Sequence, residues 1–145
     1  MTGPDPLHPV LLYDGTCGFC ARSVQLVLRH DRRMTLRFAA LQREFGALVR
    51  GRHPELERID SIIWIDPPAA AGVARVLVRS DAALRVARYL GGWWTLTLPF
   101  LLVPRFLRDA LYDAIARHRH RLLGSGPSCL VPAPEVRERF LDIGA

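Results

Sequence analysis

The feature that constrains this chain most is a short apolar run, Val10-Leu-Leu-Tyr13, that stops at Asp14-Gly15 and leads at once into Cys17-Gly-Phe-Cys20. From Cys20 onward the apolar residues Val24, Val27 and Leu28 fall at i+4, i+7 and i+8, the spacing of one helix face. A strand therefore turns sharply into a helix whose first turn carries two cysteines. At that end the unpaired backbone N–H groups and the positive pole of the helix favour a thiolate. Cys-x-x-Cys spacing also lets the second sulfur attack a mixed disulfide formed by the first. Cys17, nearer the tip, is expected to be the nucleophile. Cys20 shares the apolar stripe, so it is expected to be the more buried of the two and to resolve the intermediate.

Asp14 bears on this chemistry through its charge. The helix dipole supplies roughly 0.3–2 kcal/mol. An ionised carboxylate about 5 Å from a thiolate opposes it by roughly 3 kcal/mol at an effective dielectric near ~20. A charged Asp14 facing Cys17 would thus suppress the nucleophile. Two roles are open to it. It can sit under the helix near Cys20 and take that thiol's proton when Cys20 must attack, or it can cap the turn before the helix.

The run Tyr13-Asp-Gly-Thr-Cys-Gly-Phe-Cys20 resembles the Asp…Cys…Cys signature of the DCC family of thiol-disulfide oxidoreductases. The likeness continues through Phe38-Ala-Ala-Leu-Gln42, Ser80-Asp-Ala-Ala-Leu84, Pro104-Arg-Phe-Leu-Arg-Asp109 with Tyr112, and Cys129-Leu-Val-Pro132 with Arg139-Phe-Leu-Asp142. It covers nearly the whole chain. The resemblance implies a thioredoxin-like fold, with Cys17 and Cys20 as the redox residues and Asp14 beside them.

The chain's 145 residues suit one domain, and 50% hydrophobic with 23% charged content is that of a globular protein. Met1 to Pro9 has no basic stretch, and Asp14 interrupts the apolar run after a few residues, so no secretory signal is read there. Three cysteines, two of them in one motif, fit a reducing compartment, and the cytoplasm is the expected location. The formal charge of +6 raises nucleic-acid binding. Yet all 20 basic residues are arginines and they are dispersed, a pattern closer to codon bias than to a phosphate-binding surface.

Element order supports the fold independently of the resemblance. Strand Val10–Tyr13, helix 17–29, strand Thr35–Phe38 and a helix over 41–50 ended by Gly51 are followed by a hairpin of 61–65 with 74–78. A helix capped by Ser80 comes next, with Ala83, Leu84, Ala87 and Leu90 on its apolar face and Gly91-Gly92 at its end. This is the α/β order of a thioredoxin-like four-stranded mixed sheet flanked by helices, with a core over about 9–92. A helical extension over about 93–145 is expected to pack on it. Thioredoxin-like folds place a cis-proline before the third strand to hold substrate backbone; here Ile59-Asp60 stand there.

Trp93 to Val103 is apolar and too short for the ~20 residues that cross a bilayer. It is expected to pack over the sheet or the redox pair, and the second use open to it is peripheral membrane or partner contact through Trp93 and Trp94. A helix from Pro104 to about Leu123 carries the stripe Leu107, Leu111, Ile115, His118 and Leu122. Arg105, Arg108, Arg117, Arg119 and Arg121 are on its other faces, and Asp109 and Tyr112 are expected to be structural. A last short helix is expected over 134–141. Cys129 is either a third redox thiol or a small buried residue.

The leading function is thiol-disulfide exchange, with no metal or organic cofactor required. The substrate is a disulfide-containing protein or small thiol compound, and a dithiol reductant returns the electrons. Two alternatives remain: a non-enzymatic adaptor that binds protein or membrane through Trp93-Trp94 and the arginine-rich helix, and a zinc site built from Cys17, Cys20, Cys129 and a histidine.

Overall fold

The computed structural model describes residues 7–59, 62–68, 74–123 and 133–141. All four residues of β1 (Val10–Tyr13) are buried, as a strand needs when it has neighbours on both edges and helices on both faces. β1 pairs in parallel with β2 (Arg37–Ala40) and antiparallel with β3 (Ile63–Ile65). β3 pairs antiparallel with β4 (Val76–Val78), giving the order β2-β1-β3-β4. This is the expected thioredoxin-like mixed sheet, with α1 (Gly18–His30) as the crossover between its two parallel strands.

Alternation along the strands divides the core into two layers. Leu11, Tyr13, Phe38 and Trp64 pack with Val24 and Val27 of α1 and with Ala82, Val86 and Tyr89 of α3 (Arg79–Leu90). Their neighbours Val10, Leu12, Ala39, Ile63 and Ile65 pack on the opposite face with Phe45 and Val49 of α2 (Glu44–Arg52). Gly46 lets α2 lie close to the sheet: a Cβ there would stand 2.5 Å from the Leu41 carbonyl oxygen and 2.6 Å from that of Ala40.

Beyond α4 (Arg105–Leu123) and α5 (Pro134–Arg137), the chain returns to the outer edge of β2. Phe140 forms a parallel bridge with Phe38: the Phe38 N–H donates to the Arg139 carbonyl at 2.8 Å and the Leu141 N–H to the Phe38 carbonyl at 2.9 Å. Arg139 is buried there. It is ion-paired with the buried carboxylate of Asp31, donates through Nε to the Leu36 carbonyl at 3.0 Å, and lies over the Phe38 ring.

Several elements differ from the sequence expectation. β2 runs over 37–40 rather than 35–38, because the Tyr89 hydroxyl accepts the backbone N–H groups of Thr35 and Leu36 and withholds them from a strand ladder. α2 begins three residues late, since the Leu41 N–H still pairs with the Tyr13 carbonyl, and it runs through Gly51 to Arg52. α3 starts at Arg79 without a side-chain cap; the Ser80 hydroxyl instead donates to Asp109 of α4. Of its expected apolar face, Ala87 is buried and Leu90 packs partly buried against the core, which Ala82, Val86 and Tyr89 also join, whereas Ala83 and Leu84 turn toward a cavity. The helix stops where expected, with Gly91 and Gly92 both at positive φ. α5 is shorter than expected, because residues from Arg139 onward join the β2 edge.

The largest correction concerns the apolar segment. Gly92–Leu102 forms a 3₁₀ helix against α3, yet none of its residues is buried. Leu107, Leu111 and Ile115 of α4 are likewise exposed, and so is His118, whose Nδ1 lies 2.7 Å from the Ala114 carbonyl. An apolar stripe at helical spacing is expected to be buried, but its members Leu107, Leu111, Ile115 and His118 are at the surface: α3 covers the inner side of this layer, and its outer side faces solvent. Arg105 and Arg108, on another face of α4, both pair with Asp81.

Candidate functional site

The site forms where β1 ends. The chain leaves the sheet at Asp14, turns through Gly15 and Thr16, and enters α1 with Cys17 as N-cap and Cys20 in the first turn. The Cys17 N–H reaches back to the Asp14 carbonyl at 3.3 Å, and the Ala21 N–H donates to the Cys17 carbonyl at 3.0 Å. The Cys17 side chain makes no capping hydrogen bond, and the first turn of α1 contains no acidic residue.

Asp14 is buried, and its Oδ1 accepts three hydrogen bonds: from the Thr16 N–H at 2.9 Å, the Thr16 hydroxyl at 2.7 Å and the Gln42 amide at 2.8 Å. That is turn-capping geometry. The other end of the Gln42 amide accepts the Gly15 N–H at 2.9 Å. Gln42 thus ties the cysteine-bearing turn to the end of β2. Gly15 suits this close approach, for a Cβ there would stand 3.1 Å from Ala40 Cβ and 3.3 Å from Gln42 Oε1.

Both cysteines are free thiols. The sequence expectation has Cys17 nearer the tip and Cys20 the more buried. The structure corrects this: Cys17 is 2% exposed and Cys20 4%, and both belong to the core layer of Tyr13, Val24 and Phe38. Cys17 is drawn in because it ends the turn that Gln42 and Asp14 hold against β2.

A model of DCC1-like thiol-disulfide oxidoreductases matches residues 11–125, from inside β1 to just past α4. The chain belongs to this family. The DCC1-like chain is 34% identical over 142 residues to the uncharacterised protein YuxK of Bacillus subtilis (strain 168), covering 97% of this chain and 99% of that protein. It is also 34% identical over 126 residues to a chloroplastic DCC family protein of Arabidopsis thaliana, covering 84% of this chain and 69% of that one. No solved structure matches it.

Gln42 ends the family-like segment Phe38-Ala-Ala-Leu-Gln42, but its task depends on the parallel pairing of β1 with β2, which sets the two strand ends side by side. Cys129, and with it the zinc alternative, lies outside the described residues. Among the described residues no three His, Cys, Asp or Glu side chains gather as metal ligands would.

Proposed function

We propose that this DCC1-like protein exchanges disulfides through Cys17 and Cys20. The Cys17 thiolate attacks a substrate disulfide, forming a mixed disulfide and expelling one substrate thiolate. Cys20 then attacks Cys17, forming the intramolecular disulfide and expelling the second substrate thiolate. Two electrons pass to the substrate, and a dithiol reductant returns them to the protein. The observation that carries this reading is the placement of the pair: a Cys N-cap without a side-chain capping bond, and a second Cys within the same turn. A sulfur anion formed at Cys17 during exchange would sit at the positive end of α1.

Burial adds a condition. With Cys17 2% exposed, a disulfide reaches it only after the 14–17 turn opens. Asp14 fixes that turn when closed, and we assign it the further task of accepting the Cys20 proton during resolution.

The test is reduction of insulin and of a glutathione mixed disulfide. Cys17→Ser should abolish turnover, and Cys20→Ser should accumulate a mixed disulfide on Cys17. Full turnover by Cys17→Ser excludes the assignment.

A further inference from the structure

Between Arg88 and Arg105 the chain carries no charged residue, and this stretch becomes a surface. Trp93 is 76% exposed, Leu96 74% and Leu102 89%, with Phe100 exposed beside them; Phe106 and Leu107 extend the patch onto α4. Soluble monomers rarely keep so many large apolar groups together in water unless something covers them.

The details favour a lipid surface over a protein. Protein interfaces are read partly through hydrogen bonds, roughly one per 100–200 Å². The 3₁₀ segment offers few: the Thr95 hydroxyl is spent on the Gly92 carbonyl at 2.6 Å and that of Thr97 on the Trp94 carbonyl at 2.8 Å. Its hydroxyls can enter an apolar medium already satisfied. Among the described residues the unpaired charges alongside are cationic, for Asp66 and Asp81, which share a pocket with Leu98 and Leu101, are paired with Arg85, Arg105 and Arg108. Arg117 and Arg121 are exposed and follow the apolar positions of α4 by one to three turns, and Arg88 is exposed at the other end. The α4 carboxylates Asp109 and Asp113 turn instead toward Ser80 and Arg79 of α3. No described helix is long and apolar enough to cross a membrane, so contact would be along the surface.

A second observation points to an occupant. Behind the patch, α1, α3 and α4 enclose an apolar cavity of about 480 Å³, within the usual range for a ligand site. Phe100, Leu111 and Ile115 both line it and are exposed, so it opens onto the same face. Trp94 lines it too, and its buried indole N–H has no hydrogen-bond partner.

We infer that the Gly92–Leu102 segment and the first turns of α4 dock on an anionic phospholipid bilayer, with the cavity open to a lipid acyl chain. This surface is distinct from the dithiol, and the inference stands whether or not the exchange activity does.

The test is co-sedimentation with vesicles of phosphatidylcholine alone or with a quarter phosphatidylglycerol. Binding should be about tenfold tighter to the anionic vesicles, fall with added salt, and shift tryptophan emission to the blue. Leu96→Gln with Leu102→Gln should abolish binding without lowering the melting temperature, since both side chains are already in water. Arg117→Gln with Arg121→Gln should remove about tenfold of the affinity for anionic vesicles only. Failure to bind vesicles, or binding that the leucine pair does not change, overturns the inference. A concentration-dependent dimer that the leucine pair dissociates would also overturn it and assign the face to a second copy.

Discussion

Gln42→Ala tests whether the turn that carries Cys17 acts as a latch. The substitution removes two hydrogen bonds that cross between the ends of β1 and β2. One is from the amide to the Asp14 carboxylate at 2.8 Å, and the other is from the Gly15 N–H at 2.9 Å. A bond to a charged acceptor is worth about 1.5 kcal/mol and an exposed neutral one about 0.5, so the turn loses about 2 kcal/mol of its closed-state preference. If Cys17 reacts only in the opened turn and reclosure is fast, its reactivity follows the opening equilibrium and rises about 30-fold at ~1.4 kcal/mol per decade. The assay is alkylation of Cys17 by a neutral thiol reagent in a Cys20→Ser background, followed by mass spectrometry, with the urea midpoint measured in parallel. A stability loss of the expected size with unchanged alkylation would show that Cys17 is reached by another route. No change in either would remove Gln42 from the latch.

Three further outcomes follow from the same geometry. Asp14→Asn keeps an oxygen for Thr16 and Gln42 but loses the charge, so mixed-disulfide formation should persist and its resolution should slow in stopped-flow; an unchanged resolution rate limits Asp14 to holding the turn. Arg139→Ala leaves the Asp31 carboxylate buried without its cation, at a cost of about 3–5 kcal/mol in urea unfolding, whereas Asp31→Leu with Arg139→Met should recover much of it. Burial, reinforced by the Asp31 charge and opposed by the bond with Thr35, holds the Tyr89 phenol above the ordinary value of about 10. The folded state thus keeps that proton more tightly than the unfolded chain does. Stability should be level in this respect below about pH 10 and fall as pH rises through the folded-state value, and Tyr89→Phe should lose that alkaline decline.

The sequence carried the sheet because its strands are short apolar runs broken by turn residues, and β1 with its Cys-x-x-Cys was legible as a strand entering a helix. What failed to show were contacts between distant residues. Nothing local to Thr35 announces that Tyr89 will take its N–H, and nothing near Gln42 announces Asp14. Burial of Cys17 escaped for the same reason: a position at the tip of a helix does not show that its side chain joins the core layer of Tyr13, Val24 and Phe38. The 93–102 segment failed differently. Its composition is that of a core, but apolarity measures what a residue would gain from leaving water, and here α3 and the His30–Trp94 contact cover only part of the segment.

The pairing of Phe140 with Phe38 has a consequence for how the protein is made. Asp31 waits 108 residues for the arginine that neutralises it, and β2 stays an open edge until the same segment arrives. During synthesis the sheet can assemble early, but its flank closes only when residues 139–141 have left the ribosome. Nascent chains halted before that point should be cleaved readily by protease around β2, and equal resistance in longer and shorter chains would show the edge to be protected by other means.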